Sequence, residues 1–264
     1  MKLGIFDSGL GGLVIAKAIH EEMPDLDFVY FGDTIHIPYG NRSQDVIYDY
    51  TVQGIEFLFS QGCNLVVLAC NTASAFALRK VQQEYLPLHH QGKGRNVLGV
   101  VVPTLEEAVE EGFTNIGLIA TAYTVGTDIY GIELKKIRPD IQLHQNAAPL
   151  LVPLVENDGL QWAPPILEHY LRPLLDKKIE ALVLACTHYP FLKSQIQNIA
   201  GPVKLLSQDE IIPRKLRDYL ERHAEYKLSR QGSSVFYVSD LTSSYQKAAE
   251  DFYGSKLTIE KVSL

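Results

Sequence analysis

Short apolar runs recur along the chain, each closing on glycine or small polar residues. Residues 2–6, 27–31, 65–69, 97–102, 115–120, 181–185, 203–206 and 235–238 read as strands. The runs are nearly continuous rather than alternating, the pattern of strands covered on both faces of a parallel sheet. Between them the apolar positions take helical spacing, at 13–22, behind Ser43 on a face holding Ile47, Tyr50, Gly54, Ile55 and Leu58, and at 73–84, 104–111, 164–178, 208–222 and 241–253. Alternation of strand and helix predicts an α/β protein. Residues 86–96, rich in Gly, Lys and His, read as a surface connection with His89 and His90 in solvent, and a second unit is expected to open with the strand at 97–102.

Two runs end alike. Val66-Val67-Leu68-Ala69-Cys70-Asn71-Thr72 and Leu182-Val183-Leu184-Ala185-Cys186-Thr187-His188 place a cysteine 116 positions apart, and Gly4-Ile5-Phe6-Asp7 and Gly117-Leu118-Ile119-Ala120 repeat at a separation of 113. Two strand-turn units recurring at one separation predict two similar open-sheet α/β domains. If these are related by a pseudo-twofold axis, both cysteines converge on an active site in the cleft between them.

Two thiols on opposite sides of one ligand can serve as general base and general acid at a stereocentre, which is what a racemase or epimerase requires. A cysteine hydrolase needs one nucleophile with a His and an orienting group. A redox dithiol usually has C-x-x-C spacing, absent here, and a metal site would need more ligands. Two unrelated core cysteines remain a further reading. The turn Asp7-Ser8-Gly9-Leu10-Gly11-Gly12 has neither dinucleotide nor P-loop spacing. It is either a helix start that receives a carboxylate or a βα turn needing glycine. Tyr39, in the loop after the second strand, could equally be a packing aromatic.

Composition narrows the partners. Hydrophobic residues at 46% and charged residues at 21% are those of a folded domain rather than a disordered chain. A net charge of −7 without a basic run argues against nucleic acid. The apolar run within residues 1–7 is too short for a secretory leader, and no segment approaches a membrane span, so no membrane partner and a cytoplasmic location are expected. Three cysteines are too few for a disulfide framework.

The chain resembles the cofactor-independent aspartate/glutamate racemase family. The likeness is carried by Asp7-Ser8-Gly9-Leu10-Gly11-Gly12-Leu13, Gly32-Asp33-Thr34 with Pro38-Tyr39-Gly40, Ala69-Cys70-Asn71-Thr72-Ala73-Ser74-Ala75, Val152-Pro153-Leu154-Val155-Glu156 and Cys186-Thr187-His188-Tyr189-Pro190, in the family's order over nearly the first 200 residues. The resemblance implies interconversion of L- and D-glutamate with no cofactor and no metal, supplying D-glutamate for peptidoglycan. Cys70 and Cys186 would be the two acid/base residues, Asp7 and His188 their respective polar neighbours, with Glu156 near the second thiol. Asp7, Ser8, Tyr39, Gly40, Asn71, Thr72, Thr187 and His188 match the family's substrate contacts, and Thr121 and Thr124 match a hydroxyl-rich loop that holds a carboxylate. The domains implied are 1–98 with 209–264, and 99–208. Family members often carry Asp-Ser where this chain has Ser207-Gln208. Racemisation of aspartate or another amino acid, a single-thiol hydrolase or decarboxylase, and an inactive relative acting as a binding or inhibitory protein are the rival expectations. A homodimer is the partner left open.

Overall fold

The computed structural model describes residues 1–264, the side chain of Asn41 excepted. β1 (Lys2–Asp7), β2 (Phe28–Gly32), β3 (Cys63–Leu68), β4 (Asn96–Gly99), β9 (Ser234–Val238) and β10 (Ile259–Lys261) form one sheet, in the order β10-β9-β2-β1-β3-β4. β5 (Asn115–Ala120), β6 (Gln142–Ala147), β7 (Ala181–Ala185) and β8 (Lys204–Ser207) form the other, in the order β6-β5-β7-β8. Every pairing described is parallel, so successive strands need crossover connections, which the helices supply. β7 is buried along its whole length and β1 from Leu3 onward. That explains why both strands read as unbroken apolar runs.

The chain divides into two compact units, Met1–Val100 with Ile212–Leu264, and Val101–Ile211. The order β2-β1-β3-β4 in the first recurs as β6-β5-β7-β8 in the second. The register recurs as well: Phe6 lies opposite Leu68, and Ile119 opposite Leu184. These positions are related by the separations of the sequence repeat. Cys70 and Cys186 each follow two residues after the equivalent leucine, just past the C-terminal ends of β3 and β7, the strands that pair with β1 and β5.

Two expectations are corrected. The run at 97–102 does not open the second unit as a strand: β4 pairs with β3 at the edge of the first sheet, and a helix begins at Val101. The segment at 86–96 is not wholly a surface connection. Helical backbone continues from Asn71 through a π-type stretch, Val81–Tyr85, to His90, with Pro87 tolerated in the first turn of Leu86–His90. His89 is exposed as expected, but His90 is buried. Its Nε2 meets Glu56, its Nδ1 lies 2.7 Å from Arg95 Nη1, and Arg95 stacks over Phe59 at 4.5 Å. The ring can be covered because Glu56, 34 positions away, and the nearby Arg95 satisfy both nitrogens.

At Ser207-Gln208, Gln208 is buried and its amide donates to the Tyr130 hydroxyl at 3.1 Å and to Thr104 Oγ1 at 3.3 Å. A neutral amide can occupy this buried position without a counter-charge. Among the described residues no helix is long and apolar enough to cross a membrane.

Close approach fixes one glycine beside the first thiol's sheet end. A Cβ on Gly32 would stand 2.2 Å from the Gly9 carbonyl oxygen, so backbone must move to admit it. Gly32→Ala is expected to cost about 1–3 kcal/mol, as overpacking does. Gly126→Ala, where nothing lies within 4 Å of the new Cβ, should change stability by no more than about 0.5 kcal/mol. Urea denaturation midpoints of the two variants check the contrast.

Candidate active site

The first unit gathers its polar groups at the C-terminal ends of β1, β2 and β3. Asp7 is 1% exposed, and its Oδ2 accepts the Gly9 N–H at 3.0 Å. A Cβ on Gly12 would lie 2.4 Å from Asp7 Cβ, so the absence of a side chain there admits the aspartate into the turn. Ser8 Oγ sits 3.2 Å from Cys70 Sγ. Cys70 caps the helix Asn71–Phe76, its sulfur accepting the Ala73 N–H at 3.4 Å. A peptide N–H is therefore aimed at the sulfur and a hydroxyl stands within reach of it, groups that would hold charge there when a thiolate forms. Asn71 and Thr72, next in the chain, are buried.

Tyr39 is 2% exposed and its hydroxyl donates to Asp33 Oδ2 at 2.7 Å. Burial first, then the Asp33 carboxylate and the bond to it, hold this phenol well above its ordinary pKa. It stays a neutral donor, committed to Asp33. Tyr39 and Gly40 can thus offer a ligand their main chain. Tyr30, fully buried, donates to the Gly9 carbonyl at 2.8 Å and braces the same turn from behind. Burial, then the neighbouring Asp7 and Cys70, push its phenol up too.

The second unit places its groups at the matching ends of β5 and β7. Cys186 is 7% exposed, and His188 Nδ1 lies 3.8 Å from its sulfur and 3.4 Å from Thr187 Oγ1. The other ring nitrogen, Nε2, is 3.0 Å from Glu156 Oε1, at the end of the helix Leu151–Glu156. Burial alone would push this imidazole's pKa down. The hydrogen bonds to Cys186 and Glu156, with the charges of both, override it and bring it up to about 10. A ring placed between sulfur and carboxylate is thereby favoured in its imidazolium form. Thr121 follows β5, one strand over from Cys186, and caps the helix Ala122–Gly126. Its Oγ1 accepts the Thr124 N–H at 3.2 Å and lies 3.1 Å from Thr124 Oγ1.

Of the expected residues, Ser8 therefore lies against Cys70 and His188 against Cys186, with Glu156 and Thr187 on the His188 ring, while Asp7, Asn71 and Thr72 are buried at the C-terminal ends of β1 and β3. Cys63, the third thiol, starts β3, and burial drives its pKa up to about 12, the behaviour of a packing residue. All three cysteines are free. Among the described residues no group of three or more His, Cys, Asp or Glu could hold a metal ion. Sequence reasoning gave no role to Asp33, Tyr30 or Ser239. Asp33 carried a usable signal, since it stands just past a strand end as Cys70 does.

Residues 14–208 match the Asp/Glu/hydantoin racemase family. The chain is 36% identical to glutamate racemase of Aquifex aeolicus over 97% of its own length and 96% of the relative's. It is 37% identical to glutamate racemase of Roseobacter denitrificans, over 89% and 90% respectively. Among solved structures it resembles glutamate racemase from Francisella tularensis in complex with D-glutamate, with a TM-score of 0.88 and 29% identity over 99% of this chain and 97% of that one. An aspartate racemase from Picrophilus torridus, at 21% identity and a TM-score of 0.60 over 84% of this chain and 95% of that one, shares the fold.

Two outcomes follow from the His188 cluster. The ¹⁵N resonances of its imidazole should remain those of the imidazolium through pH 8, and Glu156→Gln or Cys186→Ser should each lower its titration midpoint. Because the folded ring's pKa, about 10, exceeds its ordinary value of 6.5, its stabilising contribution is complete below pH 6.5. It declines as pH rises through about 10. Denaturation midpoints across that window should fall more steeply in the parent than in His188→Asn.

Proposed function

The chain belongs to the Asp/Glu/hydantoin racemase family, and from that premise we propose that it interconverts L- and D-glutamate by a two-thiol acid/base mechanism. One observation carries the reading. Two sheets of like order and register each end on a nearly buried cysteine, and each cysteine has its own polar partners. Glutamate is favoured over aspartate by the names of the relatives at high coverage. A single-thiol hydrolase would leave the duplication of the cysteine unused.

The mechanism starts from one thiolate and one thiol. The thiolate removes the α-proton from one face of the amino acid and becomes a thiol. The other thiol then delivers its proton to the opposite face and becomes a thiolate, so the electron pair returns to a C–H bond of inverted configuration. The mechanism requires each unit to bring its thiol to one of the two faces. Ser8 and the Ala73 N–H would hold charge on Cys70, and the His188 imidazolium, oriented by Glu156, would hold it on Cys186. Asp7 would assist the first thiol. The developing carbanion demands fixed donors at the substrate carboxylates. Asn71, Thr72, Thr187, Thr121, Thr124 and the main chain of Tyr39-Gly40 are the groups assigned to them.

The reading takes residues 1–98 with 209–264 and residues 99–208 as the two working domains. It includes supply of D-glutamate for peptidoglycan and a cytoplasmic setting suited to three free thiols, and leaves a homodimer open.

Cys70→Ala and Cys186→Ala should each lower glutamate racemisation by at least about 10³-fold, within the usual span of a general acid or base. Chiral chromatography of glutamate incubated with each variant reads this directly. Either variant retaining turnover within about tenfold of the parent would contradict the assignment.

A further inference from the structure

The loop that follows β2 is held from far along the chain. Ser239, just past the end of β9, is buried, and its hydroxyl donates to Asp33 Oδ1 at 2.8 Å while accepting the Ile35 N–H at 2.9 Å. Next to it the main chain of Asp240 is clasped by Thr34: Thr34 Oγ1 donates to the Asp240 carbonyl at 2.5 Å and accepts the Asp240 N–H at 2.8 Å. The Ser239 N–H completes the attachment on the Gly32 carbonyl at 3.0 Å. On its other side Asp33, 2% exposed, takes the Tyr39 hydroxyl at 2.7 Å, and His36 Nδ1 lies 2.9 Å from the same carboxylate. The His36 ring stacks on Tyr50 at 3.7 Å.

Asp33 therefore joins two things that the sequence keeps apart. One oxygen is fixed by Ser239, and the other orients Tyr39, whose main chain with Gly40 is assigned above to the substrate. A buried carboxylate needs such donors to be tolerated at all. Taking Ser239 away leaves Asp33 with one donor fewer and frees the Ile35 peptide, and the loop is then attached chiefly through Thr34. The match to the family covers residues 14–208, so the loop lies within the matched segment and residues 239–240, which hold it, lie outside.

We propose that Ser239 is a positioning residue for substrate binding, acting through Asp33 on the Tyr39-Gly40 loop, a role that rests on the racemase reading above. The C-terminal segment does more than widen the sheet: through residues 239–240 it sets the loop that receives the amino acid. The effect falls on binding more than on proton transfer, because no thiol takes part in the clasp.

The test compares Ser239→Ala, Ser239→Thr and Thr34→Val with the parent by two measurements: steady-state racemisation of glutamate, and amide hydrogen exchange over residues 33–40. Ser239→Ala should raise KM about three- to tenfold, the fold-change of one hydrogen bond, with a smaller change in kcat. Its Ile35 amide should exchange at least about tenfold faster. Thr34→Val should shift both in the same sense, and Ser239→Thr, which keeps the hydroxyl, should restore both. Unchanged exchange at Ile35 in Ser239→Ala would overturn the clasp. Faster exchange with an unaltered KM, or a kcat loss without a KM rise, would overturn the positioning role. Absence of glutamate racemisation by the parent would instead remove the reading on which that role rests, and the exchange measurement would still decide whether the clasp exists.

Discussion

The register of two parallel strand pairs is the constraint on which the rest depends. In a parallel sheet each strand's hydrogen bonds fix where its neighbour ends, and a slip of one residue would turn every side chain to the other face. Phe6 opposite Leu68 and Ile119 opposite Leu184 are the same register repeated. It puts a cysteine just beyond the strand, where backbone leaves the sheet and donors become available. Gly12 and Gly32 preserve that arrangement in the first unit by allowing Asp7 and the Gly9 carbonyl to come close. In the second unit Tyr189, fully buried, donates to the Ala148 carbonyl and anchors the turn that carries His188.

Like placement is combined with unlike surroundings. Cys70 meets a hydroxyl and a peptide N–H, neutral groups that can support charge without contributing a proton. Cys186 meets a His188 ring whose pKa is pushed up to about 10 by the sulfur and by Glu156, which favours positive charge beside the sulfur. Enantiomers have equal free energy in water, so kcat/KM must be the same in both directions however unequal the two bases are. The asymmetry can therefore appear only in how kcat and KM are divided between the directions. Different partners are one way for two half-sites to hold different protonation states at rest, which the mechanism needs if one is to give a proton and the other to take it.

Much of this was legible before any coordinates. Strands covered on both faces produce runs such as Leu182-Val183-Leu184 that cannot be mistaken for amphipathic helix, and the repeat of cysteine after such a run pointed to paired thiols. Residues whose meaning depends on distant partners were not legible. His90 lies among glycine and lysine and reads as solvated, yet Glu56 and Arg95 satisfy it in the interior. Ser239 stands between the strand at 235–238 and the helix at 241–253 with nothing to mark it, and only folding brings it to Asp33, 206 positions away. The boundary at β4 was misread because its apolar run continues into a helix at Val101, and periodicity over so short a stretch cannot separate the two.

The claim that two bases act from opposite faces is tested most directly by the fate of solvent hydrogen. Racemisation of L-glutamate and, separately, of D-glutamate is run in deuterium oxide and stopped early, and deuterium is counted at the α-carbon of both enantiomers by mass spectrometry after chiral separation. Two thiols that do not share a proton during one turnover predict product almost fully deuterated while the remaining substrate still carries protium, in both directions. Product that retains the substrate's own proton, or substrate and product labelled equally from the outset, would mean a single base and would contradict the account.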